Sequence, residues 1–482
     1  MGCQMNALDS ELVMGELSQG GYVLTDRMAA ADLVIFNTCS VRQHAEDKVH
    51  SRLGQLASMR DRPAGQVVAV IGCMAERDAD GLLVRGCVDI LCGPNDLHRL
   101  PTLIESVRVH RQPEVALSGR MRDRSTYVAG EGMSDIESLD THRRLGPAGH
   151  VPVPRVFGER QAYVRITRGC NKFCTFCVVP LTRGPEVHRP PDRIVEEVRK
   201  LVDHGVVEVT LLGQTVNHYR FQGDDGRPPT SFADLLRRVH DEVPDLPRLR
   251  FVTSYPRDFT DETLDVMAAS PRICRYLHLP AQSGSNAVLK RMNRGYTVEQ
   301  YRDLLDRARS RLPDVALAGD MIVGFSGETE EDFEQSLELL RYARYKNCFI
   351  FKYSPRPGTY ADGRLPDDVP ESVKRSRNQA MLAVQAEINL ANHRSLLGRT
   401  MEVLVEGYSK AALKAQESEQ SRGEEVDRSA ARGGQLVGRT PGDQIVVFHG
   451  KPDMIGRLLT VRVTGATPYT LHGVVQDGPS GR

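Results

Sequence analysis

The sequence predicts an α/β fold in three parts: an N-terminal parallel α/β domain (1–110), a central partial (β/α)6 barrel (158–395) and a small OB-like β-barrel (396–476), with a connector at 111–157. Three observations predict it. In the first hundred residues, the short apolar runs at 33–36 and 67–71 alternate with helical stretches, the pattern of a parallel sheet. From Gln161, six strand-like runs alternate with helical ones. From Met401, short strands separated by Gly and Pro take over.

A chain of 482 residues has room for about three domains. Its 63 basic residues balance 63 acidic ones, so no whole-molecule field draws it to nucleic acid, and any basic footprint must be local. The apolar runs are far too short to span a bilayer, no charged-then-apolar leader opens the chain, and Gly2 lacks a Ser or Thr four residues on. Ten cysteines in such a chain imply a reducing compartment, where cysteine clusters bind metals more often than they cross-link. A cytoplasmic protein without membrane contact is expected.

In order along the chain, Asp9 and Ser10 can cap a first helix carrying Leu12, Val13 and Leu17 and ending at Gly20-Gly21. The strand Leu33-Val34-Ile35-Phe36 stops at Asn37-Thr38-Cys39, Ser40 can cap the next helix, to about Arg60, and the strand at 67–71 stops at Gly72-Cys73. Parallel sheets place their sites beyond the carboxyl ends of the strands. Cys39 and Cys73 sit at such ends, and Cys3 holds the matching place before the first helix, so the three are expected to converge on a metal cluster rather than to be inert core thiols. Only Met1 and Gly2 precede Cys3, which suggests a first strand upstream of this start. Cys87 and Cys92 read as core.

The connector is rich in Gly, Pro and Ser. Arg143, Arg144, Arg155, Arg160, Arg165, Arg168 and Lys172 face only Glu159 in acid; the run reads equally as a solvated face or as a guide for a phosphate backbone.

The barrel strands are expected at 161–166, 206–212, 248–253, 274–279, 315–323 and 347–352, and the helices at 191–204, 231–242, 260–269, 297–311 and 329–343. Cys170, Cys174 and Cys177 follow the first strand. Three thiolates this close serve one metal site; structural zinc wants four protein ligands, and no fourth Cys or His stands at ligand spacing. A cubane iron–sulfur cluster satisfies the count and leaves one iron open. Gln214 and Asn217 follow the second strand, Gln282 and Ser283 the fourth, and Asp320 lies in the fifth, so polar groups gather on one rim. Cys274 and Cys348 sit in strands and read as core. After helical residues to about 397, strands are expected at 401–405, 444–448, 458–463 and 471–475, with 408–433 a mobile polar insertion.

The stretch C-N-K-F-C-T-F-C-V-V-P-L-T-R-G-P-E from Cys170, with aromatic Phe176 before the last cysteine, resembles the signature of radical S-adenosylmethionine enzymes. The rim motifs, in their order, resemble that superfamily's cofactor site. L-V-G-R-T at 436–440 and I-G-R at 455–457 resemble a TRAM domain, a frequent RNA-binding barrel, although a plain structural barrel is the alternative. Adding G-C-Q-M-N at 2–6, G-Q-T-V-N at 213–217, Q-S-G-S at 282–285, V-L-K-R-M-N-R-G-Y-T at 288–297 and F-K-Y-S-P-R-P-G-T at 351–359, nearly the whole chain resembles the radical S-adenosylmethionine methylthiotransferase family, in its MiaB-type branch. Thr215, Tyr255 and Ser326 stand where that branch usually has Asn, His and Pro.

The resemblance implies two 4Fe-4S clusters, one on Cys170, Cys174 and Cys177 and an auxiliary one on Cys3, Cys39 and Cys73. It also implies S-adenosylmethionine, two per turnover, touched by Gln214, Asn217, Gln282, Ser283 and Asp320. The first cluster would cleave one to a 5′-deoxyadenosyl radical; a second S-adenosylmethionine would methylate sulfur on the auxiliary cluster by displacement. The implied substrate is carbon 2 of a prenylated adenosine in a tRNA anticodon stem-loop, with an electron donor such as a flavodoxin or ferredoxin and the chain acting as a monomer. The need for a cofactor is chemical: a ring C–H is beyond side-chain acid or base, which supply only ~10²–10⁴-fold. The alternatives are threonylcarbamoyl-adenosine or a ribosomal aspartate as target, against which Asn171-Lys172-Phe173 speaks, and a non-catalytic iron–sulfur RNA-binding protein, which would not need the rim motifs.

Overall fold

The computed structural model of the chain describes residues 2–40, 43–59, 63–118, 139–140, 160–223, 226–421 and 433–476. The N-terminal domain comprises α1 (Gln4–Gln19), β1 (Leu33–Thr38), α2 (Gln43–Ala57), β2 (Val67–Gly72), α3 (Cys73–Arg77), α4 (Ala79–Leu83), β3 (Ile90–Cys92), α5 (Leu100–His110) and β4 (Glu114–Ala116). The four strands pair in parallel in sequence order. β2 is buried at every position because helices cover both its faces. Leu8, Leu12, Leu103 and Ile104 of α1 and α5 pack with Val67, Ala69 and Ile71, and Val49, Leu53 and Leu82 of α2 and α4 pack with Val68 and Val70. This two-sided burial is why the run is apolar without alternation.

Two expectations need correction here. α1 begins at Gln4, ahead of the Asp9-Ser10 pair. Asn6 explains it: its Oδ1 accepts from the Cys3 N–H at 3.4 Å and from the Cys3 thiol at 3.1 Å, which satisfies the helix entrance and leaves Asp9 inside the helix. The stretch read as connector also contains β4, which extends the sheet beyond residue 110, and Asp140, which is buried. Arg143, Arg144 and Arg155 lie outside the described residues.

The central domain runs β5 (Gln161–Arg165), α6 (Val179–Arg183), α7 (Pro191–Asp203), β6 (Glu208–Leu212), α8 (Phe232–Glu242), β7 (Arg248–Val252), α9 (Asp261–Ala269), β8 (Tyr276–His278), α10 (Asn286–Arg291), α11 (Val298–Arg311), β9 (Ala316–Val323), α12 (Glu330–Ala343) and β10 (Asn347–Lys352). The strands β5-β6-β7 and β8-β9-β10 form two parallel sets joined by a bridge between Leu249 and Ile273. Thus all six predicted strands follow one another around an open barrel. Along β9, Leu317, Met321 and Val323 face the helices. The alternate residues Asp320 and Ile322 face inward, opposite Phe349 and Phe351 of β10 in register.

After α13 (Tyr360–Arg364) and α14 (Glu371–Arg394) come β11 (Thr400–Tyr408), α15 (Lys410–Ser421), β12 (Gly434–Arg439), β13 (Ile445–Gly450), β14 (Leu458–Ala466) and β15 (Leu471–Val475). These strands close into a barrel in the order β11-β12-β13-β15-β14 around Val403, Leu436, Val446, Phe448, Val461 and Leu471. Where a mobile insertion was expected, α15 occupies its first half; residues 422–432 lie outside the described ones. This barrel docks on the N-terminal ends of the central strands, away from the rim. Arg248 at the start of β7 donates to Glu402 Oε1 at 2.9 Å, and Lys346, just before β10, pairs with Asp443 at 2.5 Å.

Candidate active site

β5 ends at Arg165, and the chain then turns through Gly169, whose φ is +74°. A Cβ there would meet the Pro185 carbonyl oxygen at 1.8 Å, so only glycine allows the crossing that starts the cysteine loop. The Cys170 N–H donates to Gly184 O at 3.2 Å, the Thr175 N–H to Met292 O at 3.0 Å and the Cys177 N–H to Cys174 O at 3.0 Å. Phe176 packs its edge on Phe325, ring centroids 6.2 Å apart. The loop is therefore held from both flanks.

Burial pushes the Cys170 thiol up to about 12. Burial also raises Cys177, and the charges of Cys174 and Cys170 raise it further, so the three thiols feel one another. Arg294 donates from Nη1 to Cys174 Sγ at 3.2 Å.

The second trio is gathered by α1 and the ends of β1 and β2. Asn6 Nδ2 donates to Asn37 Oδ1 at 2.8 Å and to Thr38 O at 3.1 Å, which fixes the start of α1 against the strand end that carries Cys39. At Gly72, with φ +89°, a Cβ would stand 2.6 Å from Asn37 Oδ1, so Cys73 also enters by a step only glycine makes. The Cys3 thiol is lowered to about 6, first by its hydrogen bond with Cys39 and then, against burial, by Arg183. Cys73 is raised by burial, which Arg183 and the Thr182 hydroxyl oppose.

None of the six is in a disulfide, and among the described residues no three His, Cys, Asp or Glu side chains are posed as a finished metal-ion site. The donor chemistry nonetheless fits a cluster. Thiols whose deprotonation burial opposes become thiolates only when a cationic core compensates them, and a guanidinium stands at each trio.

The two trios adjoin. α6, which leaves the Cys170–Cys174–Cys177 loop, packs on α3, which begins at Cys73. Arg183 at the end of α6 donates to Asp9 Oδ2 at 2.8 Å, Arg165 donates to Asp9 Oδ1 at 2.9 Å, and Arg165 also holds Asp140 Oδ2 at 3.0 Å. Burial alone would raise Asp140, but Arg165 and then Arg189 keep it below the usual carboxylate range. Arg165 is thus a buried ion-pair component and Arg168 is buried beside it, so neither belongs to a solvated face.

The rim residues divide by role. Gln214 Oε1 is buried without a partner among the described residues, and Asp320 faces the lumen with His278 Nε2 at 3.2 Å. Asn217 is committed elsewhere: its Nδ2 donates to Tyr255 O at 2.9 Å and its Oδ1 accepts from the Tyr255 N–H at 2.7 Å. It fixes the loop after β7. Ser283 is buried against Ser336 of α12 at 3.3 Å, and Gln282, at φ +74°, reaches the site through its backbone, bonded to Asp320 O at 2.8 Å. Arg294, Arg183 and Asp9 were not anticipated; both arginines stand in the quoted motifs, but nothing local assigns them a partner.

Comparison with known proteins places these features. Residues 164–340 match the Radical SAM superfamily, residues 1–93 the Uncharacterized protein family UPF0004, and residues 425–475 the TRAM domain. The tRNA-2-methylthio-N(6)-dimethylallyladenosine synthase of Rhodopirellula baltica is 44% identical over 478 residues, covering 99% of this chain and 94% of that one. The protein of the same name from Syntrophotalea carbinolica is 40% identical, covering 96% of each. In fold, the chain is similar to the radical S-adenosylmethionine methyltransferase TsrM from Kitasatospora setae, with a TM-score of 0.53 and 17% identity over 74% of this chain and 70% of that one. The radical SAM domain implies a 4Fe-4S cluster and S-adenosylmethionine. The chain belongs to the radical S-adenosylmethionine methylthiotransferases, enzymes that transfer a sulfur-containing group.

Proposed function

We propose that this chain adds a methylthio group to carbon 2 of a prenylated adenosine beside the tRNA anticodon, using a radical-generating cluster on Cys170, Cys174 and Cys177 and an auxiliary cluster on Cys3, Cys39 and Cys73. The observation that carries the reading is the packing of α6 on α3, which sets one trio beside the other. The full-length relatives of that name support the substrate. When bound, the first cluster with S-adenosylmethionine supplies the radical that activates the ring carbon, and the auxiliary cluster supplies the sulfur.

The protein's own residues prepare the rest. Arg294 orients Cys174 by a charge-assisted hydrogen bond to its sulfur. On the inner wall, Phe349 and Phe351 lie nearly parallel, 16° apart with centroids 6.5 Å apart, and the edge of Phe349 meets His278. Phe349 keeps 46% of its surface exposed on β10, the last strand of its set. This wall suits an unstacked base with an apolar N6 substituent. A threonylcarbamoyl carboxylate would instead meet Asp320, which disfavours that substrate. The carboxyl-terminal barrel serves to hold the stem-loop, a flavodoxin or ferredoxin supplies electrons, and the chain works as a cytoplasmic monomer.

Mass spectrometry of tRNA nucleosides from a strain lacking methylthiolation, with and without this chain supplied, tests the reading. The 2-methylthio form of prenyladenosine should appear only with the chain. Methylthiolation of threonylcarbamoyl-adenosine alone would redirect it.

A further inference from the structure

Arg183 has a hydrogen-bonding capacity that no group among the described residues uses. Its side chain is buried, Nη2 is spent on Asp9, and Nη1 is buried with no partner among the described residues. Among the described residues, Asp9 is the carboxylate that pairs with it. Asp9 already gives one oxygen to Arg165 and the other to Arg183, and both Asp140 oxygens go to Arg165, at 3.0 and 2.5 Å. In this knot Arg165, Arg168 and Arg183 face Asp9 and Asp140, and the Nη1 of Arg168 is also unpartnered. Among these described residues, one buried guanidinium is in excess. An uncompensated buried charge is costly, so the site calls for an anion.

The acidic groups that act on Arg183 are Cys73, Asp9 and Cys3. Its neighbour Thr182 hydrogen-bonds Cys73. α6 packs on α3, the short helix that begins at Cys73. The unused Nη1 therefore belongs to the second cysteine trio, although Arg183 itself follows the first.

We propose that Arg183 is the charge partner of the auxiliary site: its unused Nη1 faces Cys3 and Cys73 and stabilises the anionic sulfur assembled there. This rests on the auxiliary-cluster reading above. A 4Fe-4S core of charge 2+ with three thiolates carries one negative charge, and two after accepting one electron, so a fixed cation beside it favours the reduced state and raises the potential. Arg183 acts here through charge, as a positioning residue, and takes no part in bond making.

The test uses the full chain with Cys170, Cys174 and Cys177 replaced by Ala, reconstituted with iron and sulfide and titrated with dithionite under EPR. This background should hold about four irons; if it holds none, the auxiliary-cluster reading falls, independently of Arg183. Arg183→Gln should make reduction about tenfold less favourable, a shift of about 59 mV to more negative potential for one electron. Arg183→Lys should recover most of it. Asp9→Asn separates charge from structure: it breaks the same ion pair but leaves the cation, so its potential should move the opposite way. An unchanged potential in Arg183→Gln with iron retained, or a shift of the same sign in Asp9→Asn, overturns the proposal. Should Arg183→Gln lose its iron, retention by Arg183→Lys supports the charge role, and loss in both variants overturns it.

Discussion

Arg165 at the end of β5 donates from Nη1 to Asp9 Oδ1 at 2.9 Å, joining the first barrel strand to the helix that begins at Cys3. The partners are 156 residues apart in sequence and almost wholly buried. With Asp140 and Arg183 this contact forms the ionic knot between the two domains.

Because the knot is buried, its members are interdependent. Asp140→Ala leaves Arg165 with one carboxylate shared with Arg183, and breaking a buried pair costs about 3–5 kcal/mol. The urea midpoint of the cluster-free protein should fall clearly below wild type. An unchanged midpoint would show that the pair contributes nothing.

The Arg294 contact predicts a chemical effect. A hydrogen bond to a charged group contributes about 1.5–3 kcal/mol, equivalent to about ten- to hundredfold in rate. Arg294→Gln should slow 5′-deoxyadenosine release by that factor with iron content retained. Wild-type cleavage in this variant would remove Arg294 from the site.

Acid should loosen the carboxyl-terminal barrel. Burial opposes ionisation of Asp443, but Lys346 and Arg439 outweigh it and lower its carboxyl from 3.8 to about 2. A depressed carboxyl contributes stability above its unfolded value and loses it as pH falls through the folded one. The docking contact, about 2 kcal/mol at neutral pH, should therefore fade between about pH 4 and pH 2. Asp443→Asn should flatten that part of the stability profile, measured by urea unfolding across the window. An unaltered profile would mean the contact is not linked to pH there.

The two trios should fail differently. Cys174→Ala is expected to abolish S-adenosylmethionine cleavage, while Cys39→Ala should still release some 5′-deoxyadenosine but form no methylthio product. Nucleoside and nucleotide chromatography of the same reaction reads both. Full methylthiolation by Cys39→Ala would contradict the two-site assignment.

What was legible in the sequence was what local pattern determines. Two-sided burial makes β2 uniformly apolar, and the six barrel runs repeat because each strand feeds a helix. Cys39 and Cys73 declare themselves by standing at strand ends. The ionic knot was not legible, since Arg165 and Asp9 look like surface charges until the chain folds them together. Asp9-Ser10 imitates a helix start, whereas the real entrance uses Cys3 and Asn6, which no capping preference flags. α15 was missed because K-A-A-L-K-A-Q-E carries good helix formers without an apolar stripe. Of the rim residues, position alone did not show that Asn217 bonds the loop after β7 or that Ser283 bonds Ser336.

The central claim is that two separate thiol trios each carry a cluster, and counting iron and acid-labile sulfide per chain tests it most directly. The account predicts about eight irons in the reconstituted wild type and about four when either trio is replaced by alanine. About four irons in the wild type, with Cys3, Cys39 and Cys73 open to alkylation, would contradict it.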